Sequence, residues 1–207
     1  MSWLNTDSRQ VCELAILGDS DRLPDQTAKV CFQRQRDFNY LEMRHLWEDA
    51  KVESDGVRLA GMHYRIVIMD GLSTVPAKAL PALKKLAASG RLVVWNDPQG
   101  ATGLKGARVA KSPDELIRVI DSRIKPDLAL RPASESIRYR HVVKGGDHFY
   151  MLFNEESGIV TARIDIAVKG KREWLDSFTA KAAPAATDEP VVFQPHEMKL
   201  LRIAAGR

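Results

Sequence analysis

Cysteine is nearly absent: Cys12 and Cys31 are the two in the chain. Neither belongs to a CxxC pair or a Cys/His ligand spacing, so neither a disulfide framework nor a structural zinc site is expected. The histidines, His45, His63, His141, His148 and His196, show no H-x-x-x-H or H-E-x-x-H spacing, and no metal is assigned. Residues 103–106 read GLKG, without the G-x-x-x-x-G-K-[ST] order of a phosphate loop, and no cofactor is expected. No apolar run is long enough to span a bilayer, and MSWLNTDSRQ has no apolar core of a signal peptide. The chain is therefore expected to be soluble, without a membrane partner. The net charge of +4 is scattered, and the densest basic cluster, Gln33-Arg34-Gln35-Arg36, runs straight into Asp37. Without a basic stripe interleaved with aromatics, no nucleic-acid partner is expected.

What is present is enough chain for one large domain or two small ones, at 207 residues. The first half alternates strand and helix signals. Residues 11–17 (VCELAIL) form an apolar run closed by Gly18-Asp19-Ser20-Asp21, a buried strand and a turn. Residues 64–69 (YRIVIM) end at Asp70-Gly71, and residues 91–95 (RLVVW) end at Asn96-Asp97-Pro98. Leu80, Leu83 and Leu86 between them recur at helical spacing, and Ser89-Gly90 supplies a stop. Pro81 removes a hydrogen bond from a helix interior, so the regular helix should begin near it. A second helix is expected at SPDELIRVIDSRI, with Ser112 as cap, Pro113 in the first position and Glu115 completing a capping box. Residues 37–50 should hold a short strand and a helix, and residues 51–61 a hairpin turning at Asp55-Gly56. This alternation predicts an α/β domain over residues 1–130, with a flavodoxin-like doubly wound parallel sheet, a fold type that class I amidotransferases also carry.

Beyond Lys125-Pro126 the period changes to two. Val160, Ala162, Ile164, Ile166 and Val168 alternate with Thr161, Arg163, Asp165, Ala167 and Lys169. Residues 137–144 and 148–154 flank Gly145-Gly146-Asp147, a hairpin signal, and residues 191–193 and 198–203 read as the last strands. Residues 180–190 read as a loop. A small antiparallel β-sandwich is predicted over residues 131–207.

The adjacent carboxylates Glu155 and Glu156 in HFYMLFNEESG invite a catalytic reading. Glycosidase carboxylates flank a bond, about 5 Å apart for retention or roughly 6.5–9.5 Å for inversion. Neighbours on an extended segment point to opposite faces, and in a turn both face water, so no catalytic residue is assigned. The cysteines lack the strand-to-helix elbow, G-x-C-x-G, that an amidotransferase nucleophile needs, and read as buried small hydrophobes. Open α/β sheets bind ligands at the carboxyl ends of their strands. That rim carries Asp19, Asp70, Gly71, Asn96 and Asp97, which suit sugar hydroxyls and suit turns equally.

Several stretches resemble one family pattern. WLN, VCELAIL, DFNYLEMRHL, DGVRLAGMHY and YRIVIMDGLSTVPAKALPALKKLAASGRLVVW resemble a segment of large bacterial glycoside hydrolases. HFYMLFNEESG and KREWLDSF resemble the C-terminal β-sandwich of the same enzymes, the α-L-rhamnosidase-like and sugar-binding-domain glycosyl hydrolases. WLDSFTAK departs from their pattern in having Leu175 before Asp176 and no Thr-Gly ending. The first part also resembles the trimerisation domain of certain β-galactosidases, an amidotransferase-like fold without the nucleophile. The resemblance implies a non-catalytic C-terminal accessory region, bracing or oligomerising a catalytic barrel of the same polypeptide. It implies no catalytic position here, because the family's carboxylates sit on a (β/α)₈ barrel that does not fit in this length. A carbohydrate ligand and self-association are further expectations, the latter through Trp3, Leu4, Phe38 and Tyr40. Two alternatives stand beside this reading: a free-standing carbohydrate-binding or regulatory module, and an amidotransferase-like hydrolase.

Overall fold

The computed structural model describes residues 2–18, 23–70, 75–96, 103–179 and 181–204. From the N-terminus, one helical turn, α1 (Ser2–Asn5), and the two-residue β1 (Arg9–Gln10) lead into β2 (Leu14–Gly18). Helix α2 (Asp25–Gln33) is followed by β3 (Asn39–Glu42) and the single turn α3 (His45–Glu48). Short strands come next: β4 (Lys51–Glu53), β5 (Gly56–Leu59) and β6 (Met62–Tyr64). Then follow β7 (Ile66–Asp70), α4 (Leu80–Ala88), β8 (Leu92–Trp95), β9 (Arg108–Ala110) and α5 (Pro113–Asp121). The remaining described elements are strands: β10 (Leu128–Arg131), β11 (Ile137–Lys144), β12 (Asp147–Asn154) and β13 (Val160–Ile166). They end with β14 (Lys171–Leu175), β15 (Ala182–Pro184), β16 (Val191–Phe193) and β17 (Met198–Ala204). None of the described helices is long and apolar enough to cross a membrane.

The chain divides into two compact units. One is built from Met1–Val11, Phe32–Asp37 and Pro126–Arg207, the other from Cys12–Cys31 and Phe38–Lys125. The second unit holds a five-stranded parallel sheet in the order β3-β2-β7-β8-β9. β2, β7 and β8 are buried at every position, which is why they read as unbroken apolar runs. Helix α4 buries Leu83, Leu86 and Ala87, and Pro81 sits in its first turn, where a missing N–H costs no helical bond. At α5 the Ser112 hydroxyl accepts the Glu115 N–H at 3.3 Å, while Glu115 Oε2 accepts the Lys111 N–H at 2.9 Å. The returning carboxylate thus serves the residue before the cap.

The doubly wound, flavodoxin-like and amidotransferase-like fold class expected from the sequence is corrected. Strand makes up 42% of the structure and helix 20%, and twelve of the seventeen described strands lie in antiparallel sheets. A doubly wound sheet needs a helix at each crossover. Here the path from β3 to β7 runs through one turn of helix and the antiparallel meander β4-β5-β6. The reason is local. Two tight turns, with Gly56 at φ +141° and Ala60-Gly61 at φ +49° and +79°, fold residues 51–64 back twice before a helix could form. At Gly56 a Cβ would overlap the Tyr64 carbonyl, so this turn admits no side chain.

The first unit is the sandwich. A six-stranded antiparallel sheet, β1-β11-β12-β17-β14-β15, and a three-stranded one, β10-β13-β16, share a core of Ile137, Tyr150, Leu152, Ile164, Phe193 and Leu201 among others. Alternation sets this face: Ala162, Ile164 and Ile166 of β13 are buried while Thr161, Arg163 and Asp165 are exposed. The opposite face of the larger sheet packs Val142, Phe149 and Leu200 against Leu4 of α1. Gln35 anchors its own segment into this unit. Its amide donates to Ser134 O at 2.8 Å and Ile137 O at 2.9 Å.

Candidate functional site

Of the five rim residues, Asp19, Gly71 and Asp97 lie outside the described residues. Asp70 closes β7 with 3% exposure, and its Oδ2 accepts the Thr27 N–H at 3.2 Å and the Thr27 hydroxyl at 2.8 Å. Thr27 stands in the first turn of α2, where backbone N–H groups lack helical partners. The carboxylate therefore ties the helix N-terminus to the sheet. Asn96 follows β8 in the left-handed region, at φ +53°, and its N–H donates to Ala110 O at 3.4 Å. It makes a turn. Near the ends of β2 and β3, a cavity of about 360 Å³ is lined by Leu23, Tyr40, Glu42, His45 and Tyr64 among others. Burial, and then the charge of Asp25, raise the Tyr40 hydroxyl above its usual range.

Glu155 and Glu156 are exposed and lie in the turn after β12. Glu155 pairs with Arg138, and the Glu156 N–H donates to Asn154 Oδ1 at 3.2 Å. Asn154 is fully buried and shapes the turn, donating to Gly158 O at 2.8 Å and Gln194 O at 3.0 Å. Both cysteines are buried, and the Cys12 thiol donates to Leu14 O at 3.1 Å. Leu4 and Phe38 are buried, whereas Trp3 and Tyr40 are exposed. The Trp3 ring stands edge-on to Phe149, with Lys144 Nζ 4.8 Å from its centroid.

Two features of the sandwich escaped the sequence reading. One is an open groove of about 680 Å³ between the loop after β14 and the start of β17, lined by Trp174, Asp176, Phe178, Lys181, His196 and Glu197 among others. Phe178 is 97% exposed. Asp176 holds its turn by accepting the Phe178 and Thr179 N–H groups at 2.9 and 2.7 Å, and these bonds, the Thr179 one first, lower its carboxyl pKa. The other is a polar chain in the core. Asp127 Oδ2 meets His141 Nδ1 at 2.9 Å, His141 Nε2 meets His148 Nδ1 at 2.8 Å, and the Tyr150 hydroxyl donates to Asp127 Oδ1 at 2.9 Å. Burial first, and the Asp127 charge second, raise the Tyr150 pKa, so the phenol stays a donor.

No family model matches the chain, and none of the curated proteins does. Solved structures do. The rhamnosidase from Novosphingobium sp. PP1Y matches all of this chain at a TM-score of 0.71 and 16% identity, over 24% of its own length. The β-galactosidase from Bacillus circulans sp. alkalophilus matches 96% of it at 0.61 and 11%, over 42% of its length. The β-galactosidase from Rahnella sp. R3 matches 94% of it at 0.58 and 10%, over 41% of its length. The chain thus spans about a quarter of the rhamnosidase and about two-fifths of the β-galactosidases. At these identities the likeness is one of fold: the chain has the fold of a segment found in glycoside hydrolases.

Proposed function

We propose that this chain is a non-catalytic accessory region of a glycoside hydrolase, bracing or oligomerising a catalytic barrel of the same polypeptide. The observation that carries the reading is the match of the whole chain, both units together, to a minor part of much longer hydrolases. The local chemistry supports it. Glu155 is neutralised by Arg138 in a solvent-facing turn, and Asp70 is spent on a helix terminus. Neither is placed to protonate a leaving group. The test is hydrolysis of aryl α-L-rhamnosides, β-galactosides and β-glucuronides by the isolated chain. No turnover above buffer is expected. Turnover that disappears in Glu155→Gln or Glu156→Gln overturns the reading.

A carbohydrate-contacting role is the second reading, and the groove favours it. Phe178, almost wholly exposed, offers apolar ring surface beside the polar Lys181, His196 and Glu197. Aromatic faces beside a few hydrogen-bonding groups are what a sugar ring, apolar on its C–H face and polar at its rim, requires.

A further inference from the structure

The polar chain in the sandwich core has a proton inventory that its geometry fixes. β11 and β12 pair with His141 opposite Tyr150 and Val143 opposite His148, so the two imidazoles are diagonal neighbours on one face. His141 is fully buried, and both its ring nitrogens are occupied. A carboxylate only accepts, so the contact with Asp127 requires a proton on His141 Nδ1. The 2.8 Å between His141 Nε2 and His148 Nδ1 has room for one proton. With His148 Nε2 bare, both rings are neutral. With it protonated, the pair carries one positive charge, matched by Asp127, and every contact survives. A further proton would set N–H against N–H across the contact, which must then open.

We propose that His141 and His148 form a one-proton latch: the pair accommodates one positive charge, and acid that charges both rings opens their contact and loosens the β1 edge of the sandwich. The backbone of His141 holds that edge, since its carbonyl accepts the Val11 N–H at 2.9 Å. β1 adds only two paired residues, Arg9 opposite Val143 and Gln10 opposite Val142. The surrounding charges act in the same sense. Burial, then His141, and then Arg9 hold the His148 imidazole below its usual range, opposed by Asp127 and Asp147. Tyr150 stacks on His141 at 4.0 Å between centroids, Tyr139 stacks on Tyr150, and Arg172 of β14 acts on Tyr150. β17 sets the apolar Ile203 opposite His148.

The sign follows from counting protons. Below about pH 6.5 the unfolded chain charges both imidazoles, whereas the folded pair holds one charge. The unfolded state then binds one more proton, so stability rises with pH and is lost as pH falls through this window. One proton corresponds to a tenfold drop in the folding constant per pH unit, about 1.4 kcal/mol. The lowered carboxyls of Glu53, Asp55, Glu173, Asp176 and Glu197 act in the same direction, but their ordinary range lies at about 4.5 and below.

The experiment compares the wild-type chain with His148→Gln between pH 7 and 5. It uses urea unfolding, imidazole ¹⁵N shifts and exchange of the Val11 amide. The wild type should lose about tenfold in folding constant per pH unit more than the variant between about pH 6 and 5. Its folded imidazole pair should carry one charge at pH 5, and Val11 protection should fall. Two fully charged rings in the folded wild type at pH 5, with Val11 still protected, would overturn the latch, as would an equal pH slope in the variant. Should His148→Gln fail to fold, the wild-type charge count decides alone.

Discussion

Replacing Asp70 separates a structural carboxylate from a ligand-binding one. Its Oδ2 accepts two hydrogen bonds from Thr27, which is itself fully buried. A hydrogen bond to a charged acceptor contributes about 1.5–3 kcal/mol, and a buried donor left without a partner costs about 1–3 kcal/mol. Asp70→Ala removes both bonds and strands the Thr27 hydroxyl and N–H, so a loss of about 3–4 kcal/mol is expected. Asp70→Asn keeps one acceptor oxygen but turns a donor toward the helix, and should cost about 2 kcal/mol. Thr27→Val completes a double-mutant cycle, in which residues in direct contact show coupling of about 0.5–3 kcal/mol. Equilibrium urea unfolding at pH 7 measures all four chains. A residue kept for a ligand behaves in the opposite way, because its replacement leaves stability unchanged or raises it. An Asp70→Asn chain as stable as the wild type, with coupling near zero, would refute the structural role and return Asp70 to the candidate ligand rim.

Two other outcomes follow from burial. Cys12 and Cys31 are 7% and 0% exposed, so iodoacetamide should label neither in the folded chain and both after denaturation; rapid labelling without denaturant would contradict the packing. Phe178 is almost wholly exposed, so Phe178→Ala should leave unfolding unchanged within about 0.5 kcal/mol. If the groove contacts sugar, rhamnose or galactose at millimolar concentration should shift wild-type resonances around Trp174 and not those of the variant; unshifted wild-type spectra would remove the carbohydrate reading.

The elements legible in the sequence are those long enough to carry one consistent burial pattern, continuous or periodic. β2, β7 and β8 are buried throughout, and their runs LAIL, IVIM and LVVW carry that burial openly. α5 declares itself by a cap and a stripe, and β13 by strict alternation. The short edges are silent, because two or three residues cannot display a period. β1 and β15 are held by the strands they pair with, β11 and β14, and Ala182–Pro184 reads as loop even though it closes the sheet. The flavodoxin-like expectation failed for a related reason. Parallel strands and the hairpin at Asp55-Gly56 are legible, but the second turn at Ala60-Gly61 extends that hairpin into a three-stranded meander on the path from β3 to β7, where a doubly wound sheet would carry a helix.

The histidine pair lies between these cases. The hairpin is legible as Gly145-Gly146-Asp147, but the observed turn is the two residues Gly145-Gly146, with Lys144 opposite Asp147, one residue tighter than the sequence suggests. Counting outward from that two-residue turn sets His148 opposite Val143 and Tyr150 opposite His141, so the diagonal contact of the imidazoles follows from the turn alone. The H-x-x-x-H and H-E-x-x-H spacings miss it, because these histidines are seven residues apart and meet across a hairpin. Asp127 could not be found in this way. It precedes β10, a strand of the other sheet, and reaches His141 only once the two sheets close on their common core. The carboxylate that fixes the His141 tautomer is thus supplied by tertiary packing, while the pair it governs is written into one local turn.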